Sequence, residues 1–153
     1  MLFLVRHADA GDKRAWKGPD DHRPLTDVGH RQARGLPAQL DGDAITAIVS
    51  SPTVRCIQTV KPLAWHRGLE VRTDARLHVD ANADAALALL LDASSDQTVW
   101  CTHGELIGEL LARLRAGGAP IGDGAEWRKG STWRLDVVAG QVAGATYLPP
   151  PDG

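Results

Sequence analysis

The chain lacks most of what would place it outside a cell or on a polymer. It has only two cysteines, Cys56 and Cys101, too few for a disulfide framework at 153 residues, so both read as buried free thiols. No apolar run approaches the length of a membrane span, and the start of the chain lacks the basic-then-apolar pattern of a signal peptide. With 17 basic and 19 acidic side chains the formal net charge is -2. No global field then draws nucleic acid or an anionic membrane, and any basic site must be local. There is no internal repeat, no low-complexity linker and no tightly spaced zinc motif of the HExxH kind. A single cytoplasmic domain over residues 1–148 is the expectation, with 149–153 as a loose tail and no indication of oligomeric state.

What is present is an alternation of short apolar runs with longer amphipathic ones. Leu2-Phe3-Leu4-Val5 reads as a buried strand, as do the runs ending at Ser50 and Thr102, with a weaker strand near Leu69–Arg72. Between them the pattern predicts four helices. The first is capped by Thr26 or Asp27, has Val28, Ala33, Leu36 and Leu40 on its inner face, and is kinked or cut short at Pro37. The second opens at Ser51-Pro52, kinks at Pro62 and ends at Gly68. The third spans Ala83 to Ala93, with Ala85, Leu87, Leu89, Leu90 and Leu91 packed together. The fourth runs from about Glu105 to Arg115 and is closed by Gly117-Gly118. Ser131 to Val138 and Gln141 to Leu148 alternate around Ala139-Gly140, the mark of a hairpin. The fold expected is a three-layer α/β/α domain, its mainly parallel sheet flanked by helices and extended by a C-terminal antiparallel hairpin.

Function is written at the strand ends. Arg6-His7 follows the first strand, Arg55 comes shortly after the second, and His103 follows the Val99–Thr102 run at once. Ligand sites in such sheets gather at the carboxyl ends of parallel strands, so these four groups converge on one edge. A neutral imidazole attacks phosphorus when its other ring nitrogen is held as a donor. Guanidinium forks neutralise phosphoryl oxygens in the meantime. The residues from Ala8 to Pro24 form a long polar loop without apolar periodicity, expected to rim the pocket, with Trp16 and Trp127 as candidate walls. Arg23 is the choice for a further phosphate contact and Lys129 a weaker one. Glu105 reads as a charge favoured by a helix start.

These residues carry a family resemblance. Leu4-Val5-Arg6-His7-Ala8 resembles the signature of the histidine phosphatase superfamily, which contains phosphoglycerate mutases and many phosphatases. Arg23-Pro24-Leu25-Thr26 with Gly29 and Gln32-Ala33 resembles its motif at the first helix. Ser51-Pro52, Arg55 and Gln58-Thr59 resemble the second motif, and Thr102-His103-Gly104 the segment bearing the second histidine. The short chain and the Arg-Pro-Leu-Thr segment are similar to the SixA-like phosphohistidine phosphatases. Arg128-Lys129-Gly130-Ser131-Thr132-Trp133 is similar to phosphatase-like domains fused to Nudix hydrolases in actinobacteria, although no Nudix segment is present.

The resemblance implies a phosphoglycerate mutase-like fold, His7 as nucleophile, and Arg6, Arg55 and an imidazolium at His103 as holders of the phosphoryl group. It implies no metal and no cofactor. It also implies a glutamate after the third strand as proton donor. Leu77-His78-Val79-Asp80 stands there, with Val79 at the acid's place, Asp80 as the nearest carboxylate and His78 as the next candidate. Without a working acid, phosphoramidates and phosphoanhydrides are favoured, because they leave with less help. The expected partner is a phosphorylated small molecule or a phosphohistidine protein, with neither nucleic acid nor membrane. A mutase fits less well, the chain being short for the insertions that would hold a second phosphate. The competing readings are a module that binds a phosphorylated ligand without turnover, a nucleotide phosphatase working beside a Nudix hydrolase, and a metallohydrolase built on His7, His22, His78 and His103.

Overall fold

The computed structural model describes residues 1–151. One six-stranded sheet organises the chain, with β1 (Leu2–Arg6), β2 (Ala47–Ser50), β3 (Val71–Thr73), β4 (Thr98–Thr102), β5 (Thr132–Val138) and β6 (Gln141–Leu148) in the order β3-β2-β4-β1-β5-β6. The first four are mutually parallel, while β5 runs antiparallel to β1 and β6 antiparallel to β5. The hairpin turns at Ala139 and Gly140, both at positive φ (51° and 76°), as its tight twist requires.

Helices α1 (Asp27–Gln39) and α2 (Val54–Arg67) cover one face and α3 (Ala83–Leu91) and α4 (Gly104–Ala116) the other. The period of two in β1 decides which residue goes where. Phe3 and Val5 pack with Leu36, Val60 and Leu63 under α1 and α2. Leu2 and Leu4 pack with Leu90, Ile107 and Leu110 under α3 and α4. Burial on both faces explains why the central strands are apolar without alternation. Cys56 and Cys101 are free and fully buried, as expected.

Several details differ from the sequence reading. Val28 is exposed, and Gly29 takes its place on the inner face of α1, because the Asp9 carbonyl lies where a Cβ would go. α1 continues through Pro37 for two residues, so the proline trims the helix end. The N-cap position of α2 is Thr53, since Ser51 and Pro52 complete the turn out of β2. The third strand is Val71–Thr73, and α3 stops at Leu91 with Ala85 exposed and Ala83 and Ala86 inward. The tail is docked through Pro151: the Pro149 carbonyl accepts from Gln39 Nε2 at 2.8 Å, and Pro151 lies against Gly35. The rest of that expectation, residues 152–153, falls outside the described residues.

Candidate active site

The parallel register sets the loops after β1, β2 and β4 side by side. Arg6 is level with Thr102 and Ser50 with Cys101, and the ladder continues one residue further through His7 N–H to Thr102 O and Ser51 N–H to Cys101 O. Three chains therefore leave the sheet together, and α2 and α4 begin at the same edge, where helix N-termini favour anions. Arg6, His7, Arg55 and His103 all line one cleft of about 300 Å³ there.

The residues of the sequence motifs fix that edge. Thr59 Oγ1 accepts from Ala8 N–H, Gln32 Oε1 from Asp9 N–H and Gln58 Oε1 from Leu25 N–H, each at 2.9 Å. Thr26 caps α1 by accepting from Gly29 N–H and donates to the Asp9 carboxylate. The Asp9 carboxyl is thereby held below the usual carboxylate range. On the other side Gly130, at φ 83°, donates its N–H to the carbonyls of Arg6 and His7, which carries Lys129 to the cleft rim.

His7 is only 6% exposed. Its Nδ1 lies 2.8 Å from the Ala8 carbonyl, which can only accept, so Nδ1 carries the proton and Nε2 the free lone pair. Burial pushes its pKa down to about 4, with the Arg55 guanidinium acting in the same direction. At neutral pH the ring is an uncharged nucleophile with a fixed tautomer. The rings of His7 and His103 are 5.5 Å apart.

His103 is bridged between Arg55 and Ser51. Arg55 Nη2 stands 3.4 Å from its Nδ1 and donates to it, so Nε2–H donates to Ser51 Oγ at 2.9 Å. The guanidinium beside Nδ1 leaves that nitrogen an acceptor. Arg55 is itself gripped by Asp20, through the carbonyl at 2.8 Å and the carboxylate at 3.0 Å. Burial raises the Asp20 carboxyl, but hydrogen bonds and charge from Arg23 and Arg55 outweigh it and hold the group below its ordinary range. Arg6 gives one nitrogen to the Trp127 carbonyl at 2.9 Å. Arg6 Nε and Arg55 Nε are buried without a protein partner, two donors left over for an anion.

The outlying sequence candidates fare unequally. Arg23 lines the cleft, with Nε on Asp20 and Nη1 on the carbonyls of Ala10 and Gly11, contacts that pin the loop. Lys129 also lines the cleft, with Nζ 3.6 Å from the Asp9 carboxylate. Asp80 does not face the cleft: its side chain is 90% exposed, because Val79 takes the inward direction and successive side chains diverge. His78 is turned to Asp21 at 2.9 Å. Trp16 donates its indole N–H to Pro19 and stays outside the cleft. Asp20 lines it, as expected of the Ala8–Pro24 loop, and so does Glu105, which the sequence placed only as a charge at a helix start. The one available signal was the place of Glu105 two residues after His103, on the first turn of a helix that starts at a strand end. Among the described residues no group of three or more His, Cys, Asp or Glu side chains is placed to hold a metal ion, and no helix is long and apolar enough to cross a membrane.

Comparison with known proteins agrees with this geometry. The histidine phosphatase superfamily (branch 1) matches residues 2–78. An 8-oxo-(d)GTP phosphatase of Mycolicibacterium smegmatis is 37% identical over 99% of the chain, which spans 48% of that relative's length. Among solved structures, the protein histidine phosphatase SixA complexed with tungstate superposes with a TM-score of 0.73 at 22% identity, covering 99% of this chain and 96% of that one. YhfR of Bacillus stearothermophilus gives 0.72 at 20%, covering 93% and 94%. At those identities the likeness to the two structures is one of fold.

Proposed function

The chain belongs to the histidine phosphatase superfamily (branch 1), and on that premise we propose that it is a phosphatase that works through a covalent phosphohistidine on His7. The observation that carries this is the state of His7: neutral, buried, with Nδ1–H tied to Ala8 and Nε2 free beside Arg6, Arg55 and His103. Nε2 attacks phosphorus as the bond to the leaving oxygen breaks, and that oxygen departs with the electron pair. The Ala8 carbonyl steadies the positive charge that develops on the ring. Water then attacks the same phosphorus, the N–P bond breaks, and both protons of the water leave with dihydrogen phosphate. Arg6 and Arg55 neutralise the phosphoryl oxygens in both steps, to which they bring unspent donors.

The substrate is a small phosphorylated molecule, and a nucleoside phosphate is the reading preferred over a phosphohistidine protein. The relative that matches along the whole chain is named for a nucleotide, whereas the phosphohistidine phosphatase resembles this chain in fold alone. Val79 at the position expected of the acid agrees with a phosphoanhydride, whose leaving phosphate needs little protonation. The test is turnover of phosphoramidate and of a nucleoside diphosphate panel with EDTA present, for the wild type and His7→Asn. The asparagine amide keeps a donor for Ala8. Turnover that resists the chelator and vanishes in a folded His7→Asn supports the proposal. Turnover that survives the substitution overturns it. Tight phosphate binding with no turnover of any substrate would favour the non-catalytic binding module.

A further inference from the structure

A second groove opens beside the cleft, and the chemistry at His7 makes no use of it. It encloses about 520 Å³ along α4 and is lined by Arg6, Gly104, Glu105, Gly108, Glu109 and Trp127 among others. Arg6 and Glu105 line both it and the phosphoryl cleft, so the two spaces are continuous. Gly104 and Gly108 are one helical turn apart, and so are Glu105 and Glu109, which places each pair on a common strip of the helix. The glycines are there for want of room. A Cβ on Gly104 would stand 2.6 Å from Arg6 Cζ, and one on Gly108 would stand 2.9 Å from Trp127 Cζ2. Their absence of side chain lets a guanidinium and an indole lie against the helix. Trp127 is half-buried, and its own carbonyl takes the Arg6 hydrogen bond, so the indole is indexed to the arginine that faces the phosphoryl pocket.

We propose that this groove is the base subsite of a nucleoside diphosphate: the Trp127 indole stacks on the base and the Glu105 and Glu109 carboxylates accept from its edge. The proposal rests on the nucleotide reading of the His7 site and names the class of base. Stacking on an indole is tolerant of which base is bound. Ionised carboxylates only accept, so they select an edge that presents adjacent N–H donors, as guanine does with N1–H and its amino group. Adenine presents an acceptor at N1 and is disfavoured. Two carboxylates also repel a phosphate, which leaves the groove to the uncharged end of the substrate. The inner phosphate then passes Arg6, and the outer one reaches His7. His7 Nε2 bonds to the outer phosphorus, the bridging P–O bond breaks, and the nucleoside monophosphate leaves with the oxygen and its electrons.

The experiment compares kcat/KM for GDP, ADP and phosphoramidate, which has no base, in the full chain and in Trp127→Ala, Trp127→Phe and Glu109→Gln. The expected results are a wild-type preference for GDP over ADP and over phosphoramidate, and a GDP-to-phosphoramidate ratio that falls roughly tenfold or more in Trp127→Ala. Most of that fall comes through KM, and Trp127→Phe restores most of it. Glu109→Gln brings the GDP-to-ADP ratio towards one. Phosphoramidate turnover with no preference for GDP, a GDP-to-phosphoramidate ratio unmoved in a folded Trp127→Ala, or, where Trp127→Ala fails to fold, a GDP-to-ADP ratio unmoved by Glu109→Gln overturns the subsite and leaves the phosphatase standing. A Trp127-dependent preference for a basic phosphohistidine peptide over GDP also overturns it, giving the groove to a peptide. Turnover of none of the three overturns the phosphatase reading itself, and the subsite with it.

Discussion

Acidifying the protein from pH 7 to pH 5.5 should leave the His7 imidazole uncharged. A histidine in water titrates near 6.5, and burial lowers His7 to about 4. At pH 5.5 roughly 97% of the rings would be neutral with the lowered value, against roughly 9% with the ordinary one. The consequence for stability has a definite sign. Above pH 6.5 the ring is neutral in both the folded and the unfolded chain and contributes nothing. Between 6.5 and 4 the unfolded chain takes up a proton that the folded one refuses, so protons favour unfolding. A difference of roughly 2.5 pH units then costs about 3 kcal/mol by pH 4, and the loss levels off just below that pH. His7 is only 6% exposed, so solvent screens little of this. The assay is the ring chemical shift of His7 against pH by NMR, with urea unfolding of wild type and His7→Asn at pH 7 and pH 4.5. The kinetic profile is a poorer gauge because substrate phosphate itself titrates near 6. A midpoint for His7 near 6.5, or a wild type that loses no more stability than the variant on acidification, would refute the reasoning.

Other outcomes follow from the same contacts. Gly29→Ala should destabilise the fold by about 2 kcal/mol and lower the melting temperature by several degrees, because its Cβ would stand 2.0 Å from the Asp9 carbonyl oxygen. The gain in helix propensity, about 1 kcal/mol, is too small to offset this, and a calorimetric scan reads the sign. Gly104→Ala should reduce kcat/KM by about 10- to 100-fold by displacing Arg6, with the circular dichroism spectrum retained. Asp80→Asn should leave kcat/KM within about twofold of wild type, since the side chain is 90% exposed. A larger loss would return the proton-donor role to Asp80.

The architecture was legible because its signals are local and redundant. The continuous apolar strand at Leu2–Val5, the capped α1 and the alternating C-terminal hairpin each announce one element, and parallel strands can lie together in few ways. Convergence of Arg6, His7, Arg55 and His103 follows from strand ends alone. What stayed hidden depends on which of two neighbouring side chains turns inward. Val79 rather than Asp80 faces the cleft, and Gly29 rather than Val28 faces the core, where the Asp9 carbonyl leaves no room for a Cβ. Partner choice was equally unreadable. Arg23 is among the right residues, but its Nη1 is tied to the carbonyls of Ala10 and Gly11, and nothing in the Arg23-Pro24-Leu25-Thr26 segment says so. Glu105 carries the opposite lesson: its helix-start position was read correctly, but the cleft beside it exists only once β1 and β4 are paired.

The most direct measurement is to catch the phosphoryl group on the enzyme. The protein is mixed with a labelled phosphoryl donor, quenched in alkali within milliseconds, digested and analysed by mass spectrometry, because phosphohistidine survives base and is lost in acid. A phosphoryl group on the peptide carrying His7, formed and lost at rates compatible with turnover and absent in His7→Asn, is the predicted result. Turnover with the label passing directly to water, or landing on His103 or another residue, would contradict it.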